Sequence, residues 1–342
     1  MHAIQFTQPG TIDLIDIPEP PAPGPGDAVV RVRRVGVCGT DYAGYLGKMA
    51  FFSYPRIPGH ELGVEVVAVG AEVTRVKPGD RCCVEPYINC QKCYSCQRGH
   101  TNCCMHHLTL GVHCDGGLRP LFTIPARKLH PSPGLTDEQN ALVETLAIGC
   151  HAVNRAAIRS GEIVLVLGAG PIGLSVIEFA RLAGARILVA DLSESRLQFV
   201  RERIGIPETI LIKDPAVFLD EVTNRTDGRW CDVVVDATGS PQSMSNALEY
   251  CAFAGRLVFV GITQQELRFP HAPIMHRREL TLLASRNALP GDFKRIIELI
   301  ERGQLDTRPW ITHHAAMEDL PQVLPTWLQP DQGVVKAIVE VS

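Results

Sequence analysis

Six short apolar runs recur along the middle of the chain: EIVLVLG (162–168), ARILVAD (185–191), TILI (209–212), CDVVVDAT (231–238), RLVFVGI (256–262) and ELTLLASR (279–286). Helix-like stretches such as PIGLSVIEFARLAG (171–184) and SESRLQFVRERIG (193–205) separate the first five. Strands that are apolar throughout must be covered on both faces, so this rhythm predicts an α/β fold with a doubly wound parallel sheet. The first 150 residues follow a different rule. AVVRVRRVGVC (28–38) and ELGVEVVAVG (61–70) alternate apolar and polar residues as half-buried strands do, and PEPPAPGPG (18–26) is too rich in proline for a helix or a central strand. After residue 286 a helix, DFKRIIELIERG (292–303), and a last strand, GVVKAIVEV (333–341), form a tail able to return to the β-rich part. With 342 residues, and roughly 100 to 200 residues per domain, two domains are expected.

Composition removes several function classes. Thirty-three basic residues against 37 acidic ones leave a net charge of −4, so no basic field is available to hold a nucleic-acid backbone. The start, MHAIQFTQPG, has neither a basic nor an apolar leader region. The longest apolar stretch, 163–174, is interrupted by Gly168, Gly170, Pro171 and Gly173 and falls short of the roughly 18 residues of a membrane span. A cytoplasmic protein without nucleic-acid or membrane partners is the expectation. Its 12 cysteines, in a long chain with no leader, point to metal ligands before disulfides.

The first buried strand ends in GAGPIG, with Gly168, Gly170 and Gly173 in the Gly-x-Gly-x-x-Gly positions. The first glycine permits the tight turn, the second lets backbone approach a pyrophosphate, and the third lets helix and strand pack closely. The helix N-terminus offers free N–H groups to phosphate. A glycine-rich turn can also be purely structural. Asp191, ending the next strand, stands where an acidic side chain receives the adenosine ribose hydroxyls, and its charge disfavours a 2′-phosphate, which selects NAD over NADP. Arg196 is placed to pack on the adenine or ribose, or simply to face solvent.

Cys90, Cys93, Cys96 and Cys104 form Cys-x2-Cys-x2-Cys-x7-Cys. Four thiolates from one loop suit a closed tetrahedral zinc, with an iron–sulfur cluster as the alternative and Cys103 competing for the fourth place. Such a closed site serves folding rather than chemistry. A second set is scattered: Cys38 in Cys-Gly-Thr-Asp, His60 and Glu61 in Gly-His-Glu, and Glu144, which interrupts the apolar ALVETLAIGCHAV. A carboxylate buried in such a segment is costly unless paired or bound to metal. One thiolate, one imidazole and carboxylates can hold zinc and leave room for an oxygen ligand.

Together these motifs resemble the zinc-dependent medium-chain alcohol dehydrogenases, in their sorbitol, threonine and sugar-acid branch, over essentially the whole chain. FFSYPRIPGHE (51–61), GVHCDGG (111–117), DATG (236–239) and SRNALPGDF (285–293) are most similar to its L-galactonate dehydrogenase-like group. The resemblance implies a GroES-like β-rich catalytic domain, residues 1–150 with 287–342, and a Rossmann NAD-binding domain, residues 151–286. It implies two zinc ions per chain, the catalytic one held by Cys38, His60 and Glu144 with Glu61 as a direct or exchanging ligand, and Thr40 as the relay for the substrate proton. NAD would be contacted by Gly168, Gly170, Pro171, Ile172, Gly173, Asp191, Arg196, Thr238, Gly261, Ile262, Ser285, Arg286 and Asn287. The implied reaction is hydride transfer to NAD from a secondary hydroxyl of a polyol or a sugar acid such as L-galactonate or L-gulonate, in a homodimer or homotetramer. A threonine-type or simple alcohol dehydrogenase, or a zinc-stabilised nucleotide-binding protein without turnover, are the competing readings. Two departures stand out: Ala43 replaces the relay histidine usual in the family, and GGLRPLF (116–122) replaces Gly-Gly-Phe-x-Glu-Tyr. Proton exit would then use water, the ribose or another residue such as Tyr42 or Tyr45, and Arg119 is a candidate fork for a substrate carboxylate.

Overall fold

The computed structural model describes residues 1–341. They pack as two compact units, Met1–Thr145 joined by the segment from Leu289 onward, and Leu146–Ala288. The first boundary falls inside the helix Asp137–Ala156.

The second unit is built on a six-stranded sheet in the order Thr209–Leu211, Arg186–Asp191, Ile163–Leu167, Cys231–Asp236, Cys251–Phe259 and Thr281–Ala284, parallel throughout. Every residue of Ile163–Leu167 is buried, which is why that run carries no polar alternation. The chain leaves Ile163–Leu167 first toward Arg186–Asp191 on one side and later returns to Cys231–Asp236 on the other. That reversal of direction creates a crevice at the carboxyl ends of the strands. The glycine turn, Asp191, Thr238, Gly261, Ile262 and the segment Ser285 to Asn287 all follow such strand ends.

The first unit is organised by the long strand Asp27–Val37, which pairs antiparallel with Glu61–Val69, Leu121–Pro125 and Lys336–Glu340. Arg81–Val84 and Leu129–Pro131 extend the sheet on one side, and Ile311–Ala316 runs parallel to Lys336–Glu340 on the other. Val30, Val32, Val35, Leu62, Val64, Phe122 and Ile124 fill its core. The C-terminal strand therefore does return to the β-rich part. Its register sets Ala337 opposite Val37 and Ile338 opposite Gly36, while Gly36 faces Glu61 on the other side. This crossing of three strands brings Lys336 to Glu61, the last residue of the Gly-His-Glu segment.

Candidate active site

In the second unit the glycine turn has the geometry each glycine was expected to supply. Gly168 has φ +95°, the left-handed region open to glycine. A Cβ on Gly173 would lie 1.8 Å from the Gly168 carbonyl oxygen, so only hydrogen lets the helix Pro171–Leu182 sit this close to the strand. At Gly170 an added Cβ would meet only the Arg196 guanidinium, at 3.6 Å, so that glycine leaves open space. Gly170 caps the helix without a side-chain hydrogen bond, and Pro171 occupies the first turn. The first N–H groups of that helix therefore have no side-chain cap.

Asp191 is buried, and its oxygens accept from the Ala169 N–H at 2.6 Å and the Ser193 N–H at 2.8 Å. These bonds fix the carboxylate at the strand end and leave further lone pairs able to accept. Thr238 donates from its N–H and its hydroxyl to Asp236, and Gly261 packs so that a Cβ would come within 2.3 Å of the Gly239 nitrogen. Ile262 is 73% exposed, the kind of apolar surface a bound cofactor covers. The Ser285 hydroxyl is buried without a hydrogen-bond partner, and Asn287 adopts φ +52°. Ile172 is half-buried and Arg196 exposed.

The four-cysteine loop closes on itself in the first unit. The sulfurs of Cys90, Cys93, Cys96 and Cys104 lie within 4.8 Å of one another. Cys103 is exposed and outside this set. Backbone N–H groups aim at the sulfurs: Cys93 donates to Cys90 Sγ at 3.3 Å, and Cys90 and His106 donate to Cys104 Sγ at 3.2 and 3.3 Å. Such donors favour thiolate. N–H groups of Cys96 and Met105 pull the Cys93 thiol down to about 6, whereas burial pushes Cys104 up to about 11. Four sulfurs at this spacing fit a tetrahedral thiolate-bound ion.

The scattered set also converges. Cys38 ends the strand Asp27–Val37 and starts the helix Gly39–Tyr45, where its N–H donates to Asp41 Oδ2 at 2.9 Å. Ligand atoms of Cys38, His60 and Glu61 lie within 4.8 Å of one another. Glu144 falls outside that trio. It is buried on the helix Asp137–Ala156, accepts the Tyr87 hydroxyl and feels the charges of His60 and Glu61. Burial lifts its carboxyl above the ordinary value, with His60 and Tyr87 working the other way. Thr40 sits half-buried in the first helical turn after Cys38.

Three residues that sequence reasoning missed complete this centre. Asp41 is buried, accepts from the Gly59 N–H at 3.3 Å, and places Oδ1 3.7 Å from His60 Nδ1, which has no hydrogen-bond partner. Tyr87 holds Glu144. Lys336 donates from Nζ to both Glu61 oxygens at 2.7 Å and to the Val37 carbonyl at 3.2 Å. Burial opposes charge on Glu61 and on Lys336, yet their mutual attraction prevails, holding the carboxyl below and the ammonium above their ordinary values. A polar residue breaking an apolar run, the signal that picked out Glu144, also marks Lys336 in VVKAIVEV.

Asp41, Glu61 and Glu144 are all buried, and Lys336 is the buried cation paired with one of them. Two carboxylates and the Cys38 thiol therefore remain beside an imidazole with an orphaned nitrogen. Burial raises the Asp41 and Glu144 carboxyls, and the Asp41 charge holds the His60 imidazole up against its own burial, so these groups call for a shared cation, a proton or a metal ion. A divalent ion fits this donor set.

Family models match over much of the chain: an alcohol dehydrogenase GroES-like domain over residues 24–134 and a zinc-binding dehydrogenase domain over 171–302. L-galactonate-5-dehydrogenase of Escherichia coli K12 is 36% identical over 94% of either chain. The chain is a zinc-type medium-chain alcohol dehydrogenase. Its β-rich unit is the GroES-like part and its parallel sheet the nucleotide-binding part of that fold. An alcohol dehydrogenase of Escherichia coli CFT073 solved with NADH superposes with a TM-score of 0.91 at 26% identity, covering 99% of each chain. A zinc-binding dehydrogenase from Sinorhizobium meliloti bound to NADP gives 0.89 at 27% identity, over 99% of this chain and 98% of that one.

Two further expectations meet the structure here. The Tyr42 hydroxyl is buried without a partner beside Asp41, Glu61 and Cys38, and burial followed by those charges raises its pKa, so it stays protonated. Tyr45 instead packs its ring on Phe6 at 6.0 Å. Arg119 donates to the Asp115 carbonyl at 3.3 Å and lies over the Phe122 ring at 5.2 Å, so its guanidinium is engaged within its own loop and strand. No helix among the described residues is long and apolar enough to cross a membrane.

Proposed function

We propose that this dehydrogenase oxidises a secondary hydroxyl of a polyol or sugar acid, of the L-galactonate or L-gulonate kind, to the ketone while reducing NAD. The observation that carries the reading is the gathering of Cys38, His60 and Glu61 with their ligand atoms within 4.8 Å of one another, and Glu144 close enough to feel the charges of His60 and Glu61. When bound, zinc supplies a Lewis acid for the substrate oxygen and NAD accepts the hydride. Cys38, His60 and Glu144 would hold the ion. Because Lys336 occupies both Glu61 oxygens, Glu61 acts as an exchanging ligand and charge partner. Asp41 keeps His60 in place from behind, and Tyr87 does the same for Glu144. Thr40 accepts a hydrogen bond from the substrate hydroxyl and relays its proton, giving up its own hydroxyl proton to water or the ribose as the substrate's arrives, since no histidine stands at position 43.

Cys90, Cys93, Cys96 and Cys104 hold the second, closed zinc, giving two ions per chain. Gly168, Gly170, Pro171, Ile172 and Gly173 receive the pyrophosphate. Asp191 and Arg196 bind the adenosine side, and Thr238, Gly261, Ile262 and the segment Ser285, Arg286 and Asn287 line the remainder of the dinucleotide. The Asp191 charge supports NAD over NADP. In this reading residues 1–150 with 287–342 form the catalytic zinc domain and 151–286 the NAD-binding domain, and the protein works as a cytoplasmic homodimer or homotetramer.

The sugar-acid substrate is supported by the identity to the Escherichia coli enzyme of that name. Its test is a panel of aldonates, polyols, L-threonine and short alcohols assayed for NADH formation at mildly alkaline pH. The highest kcat/KM should fall on an aldonate or polyol. Turnover confined to L-threonine or short alcohols would overturn the substrate class.

A further inference from the structure

Apart from the catalytic-site and nucleotide residues, a cavity of about 380 Å³ opens in the β-rich unit against the four-cysteine loop, with Cys96 in its wall. Its wall holds four fixed cations, Arg75, Arg127, Lys128 and Lys294, against a single carboxylate, Glu85. That carboxylate is already consumed: Lys128 Nζ donates to one of its oxygens and His130 Nε2 lies 3.1 Å from the other, all three side chains being buried. Arg127 binds only Asn89, at 3.1 Å to Oδ1 and 2.8 Å to the carbonyl, and Arg75 only the Arg127 carbonyl at 2.9 Å. Among the described residues, neither arginine nor Lys294 has a carboxylate partner. Arg127 still feels the charges of Glu85, Cys96 and Cys104, but Arg75 and Lys294 share the concavity with no carboxylate of the described residues in ion-pair reach, an arrangement that attracts an anion.

A second, independent observation points to a ligand. His130 is 2% exposed, and its Nδ1 has no hydrogen-bond partner, nor does the buried Thr101 hydroxyl in the same wall. Buried polar atoms are nearly always satisfied, so two orphans facing one cavity call for an explanation. The His130 ring is held in place, stacked on Phe293 at 5.1 Å and 10°. An adjoining cavity of about 330 Å³ shares Arg75, His130 and Lys294 and carries Glu298 and Glu301 on its wall. Glu298 and Glu301 line only the adjoining cavity.

We propose that this cavity is a binding site for a small oxyanion carrying at least two negative charges, with phosphate and phosphate esters as the best fit. Arginine forks and a lysine recognise phosphate oxygens, while the Thr101 hydroxyl and His130 Nδ1 suit the hydroxyl groups of an ester. The volume lies in the range of about 300–1,000 Å³ usual for small-molecule pockets and leaves room beyond the phosphate group. None of Cys38, His60, Glu61 and Glu144 lines it, so the site is additional to the catalytic one. Its packing nevertheless leads there: Phe293, which covers His130, meets the Tyr87 ring edge-on at 6.2 Å, and Tyr87 holds Glu144.

The test is calorimetric titration of the zinc-loaded enzyme, saturated with NADH so that phosphate cannot occupy the glycine turn. Inorganic phosphate and glucose 6-phosphate are the probes, with chloride at matched ionic strength as the reference. Saturable binding of either probe, weakened at least tenfold by Arg75→Ala with Lys294→Ala, is the expected result. Those side chains are exposed, so the variant should fold, and kcat with NAD should be retained in phosphate-free buffer. A control with the same loss of charge, Arg268→Ala with Arg277→Ala, should bind as the parent does. Tighter binding of glucose 6-phosphate would identify an ester site, and equal binding would identify phosphate itself. Absence of saturable binding, or equal weakening in the control variant, would overturn the proposal.

Discussion

Lys336→Met removes the ammonium from a pair that is sealed from solvent on both sides, Glu61 being 0% and Lys336 1% exposed. Methionine keeps much of the length and apolar stem, so the change isolates charge and hydrogen bonding. Three bonds disappear: two to Glu61 at 2.7 Å and one to the Val37 carbonyl at 3.2 Å. Breaking one side of a buried ion pair costs about 3–5 kcal/mol because the remaining charge is stranded. At about 2–4 °C per kcal/mol for a unit of this size, the melting temperature of zinc-loaded protein should fall by about 6–20 °C in scanning calorimetry. Glu61→Gln combined with Lys336→Met leaves no stranded charge and should recover most of that loss. A single variant melting within about 1 °C of the parent would refute the reasoning. So would a double variant as damaged as the sum of its parts, since packing rather than charge would then explain the effect.

Three other expectations can be checked separately. Asp191→Ala should erode a cofactor preference that, in the parent, favours NAD over NADP at least tenfold in kcat/KM, about 1.4 kcal/mol; equal use of both by the parent would show that Asp191 does not face the ribose. Gly173→Ala forces a methyl group 1.8 Å from the Gly168 oxygen, so NADH affinity measured by fluorescence titration should collapse, with about 1–3 kcal/mol of stability lost. Arg186 donates to Glu208 at 2.9 and 2.7 Å and holds its carboxyl below the ordinary value. That stability is present above the unfolded-state pKa and lost as pH falls through the folded one, so Glu208→Gln should lower the melting temperature slightly near neutrality and not in strong acid.

Much of the architecture was readable because burial on both faces leaves a mark that no local interaction can disguise. The runs around Ile163–Leu167, Arg186–Asp191 and Cys231–Asp236 are apolar through their middles, with charged residues only toward the strand ends, and they became the centre of the sheet. Gly168 and Gly173 were legible for a related reason, since each answers a steric demand that no other residue meets. Glu144 was visible as a carboxylate in an apolar helix. Lys336 gave the same signal in an apolar strand but was read only as part of a tail, because its partner lies 275 residues away and only strand register connects them. Asp41 and Tyr87 carried no signal of their own: one stands in the Cys-Gly-Thr-Asp motif as a helix-start residue, the other on a two-residue strand. Arg119 shows what a sequence cannot display, since its contacts to the Asp115 carbonyl and the Phe122 ring depend on how its loop folds.

Zinc content tests the central claim most directly, because the two ligand sets differ in chemistry and share no residue. Elemental analysis of protein purified without chelator, alongside Cys38→Ala and Cys93→Ala and with NADH formation measured on the same samples, separates them. Two equivalents in the parent are predicted. Cys38→Ala should lose one equivalent and all turnover while remaining folded, and Cys93→Ala should lose the other and melt at a lower temperature. A parent holding a single equivalent that survives Cys38→Ala and vanishes with Cys93→Ala would contradict the account, since the centre formed by Cys38, His60, Glu61 and Glu144 would then hold no metal.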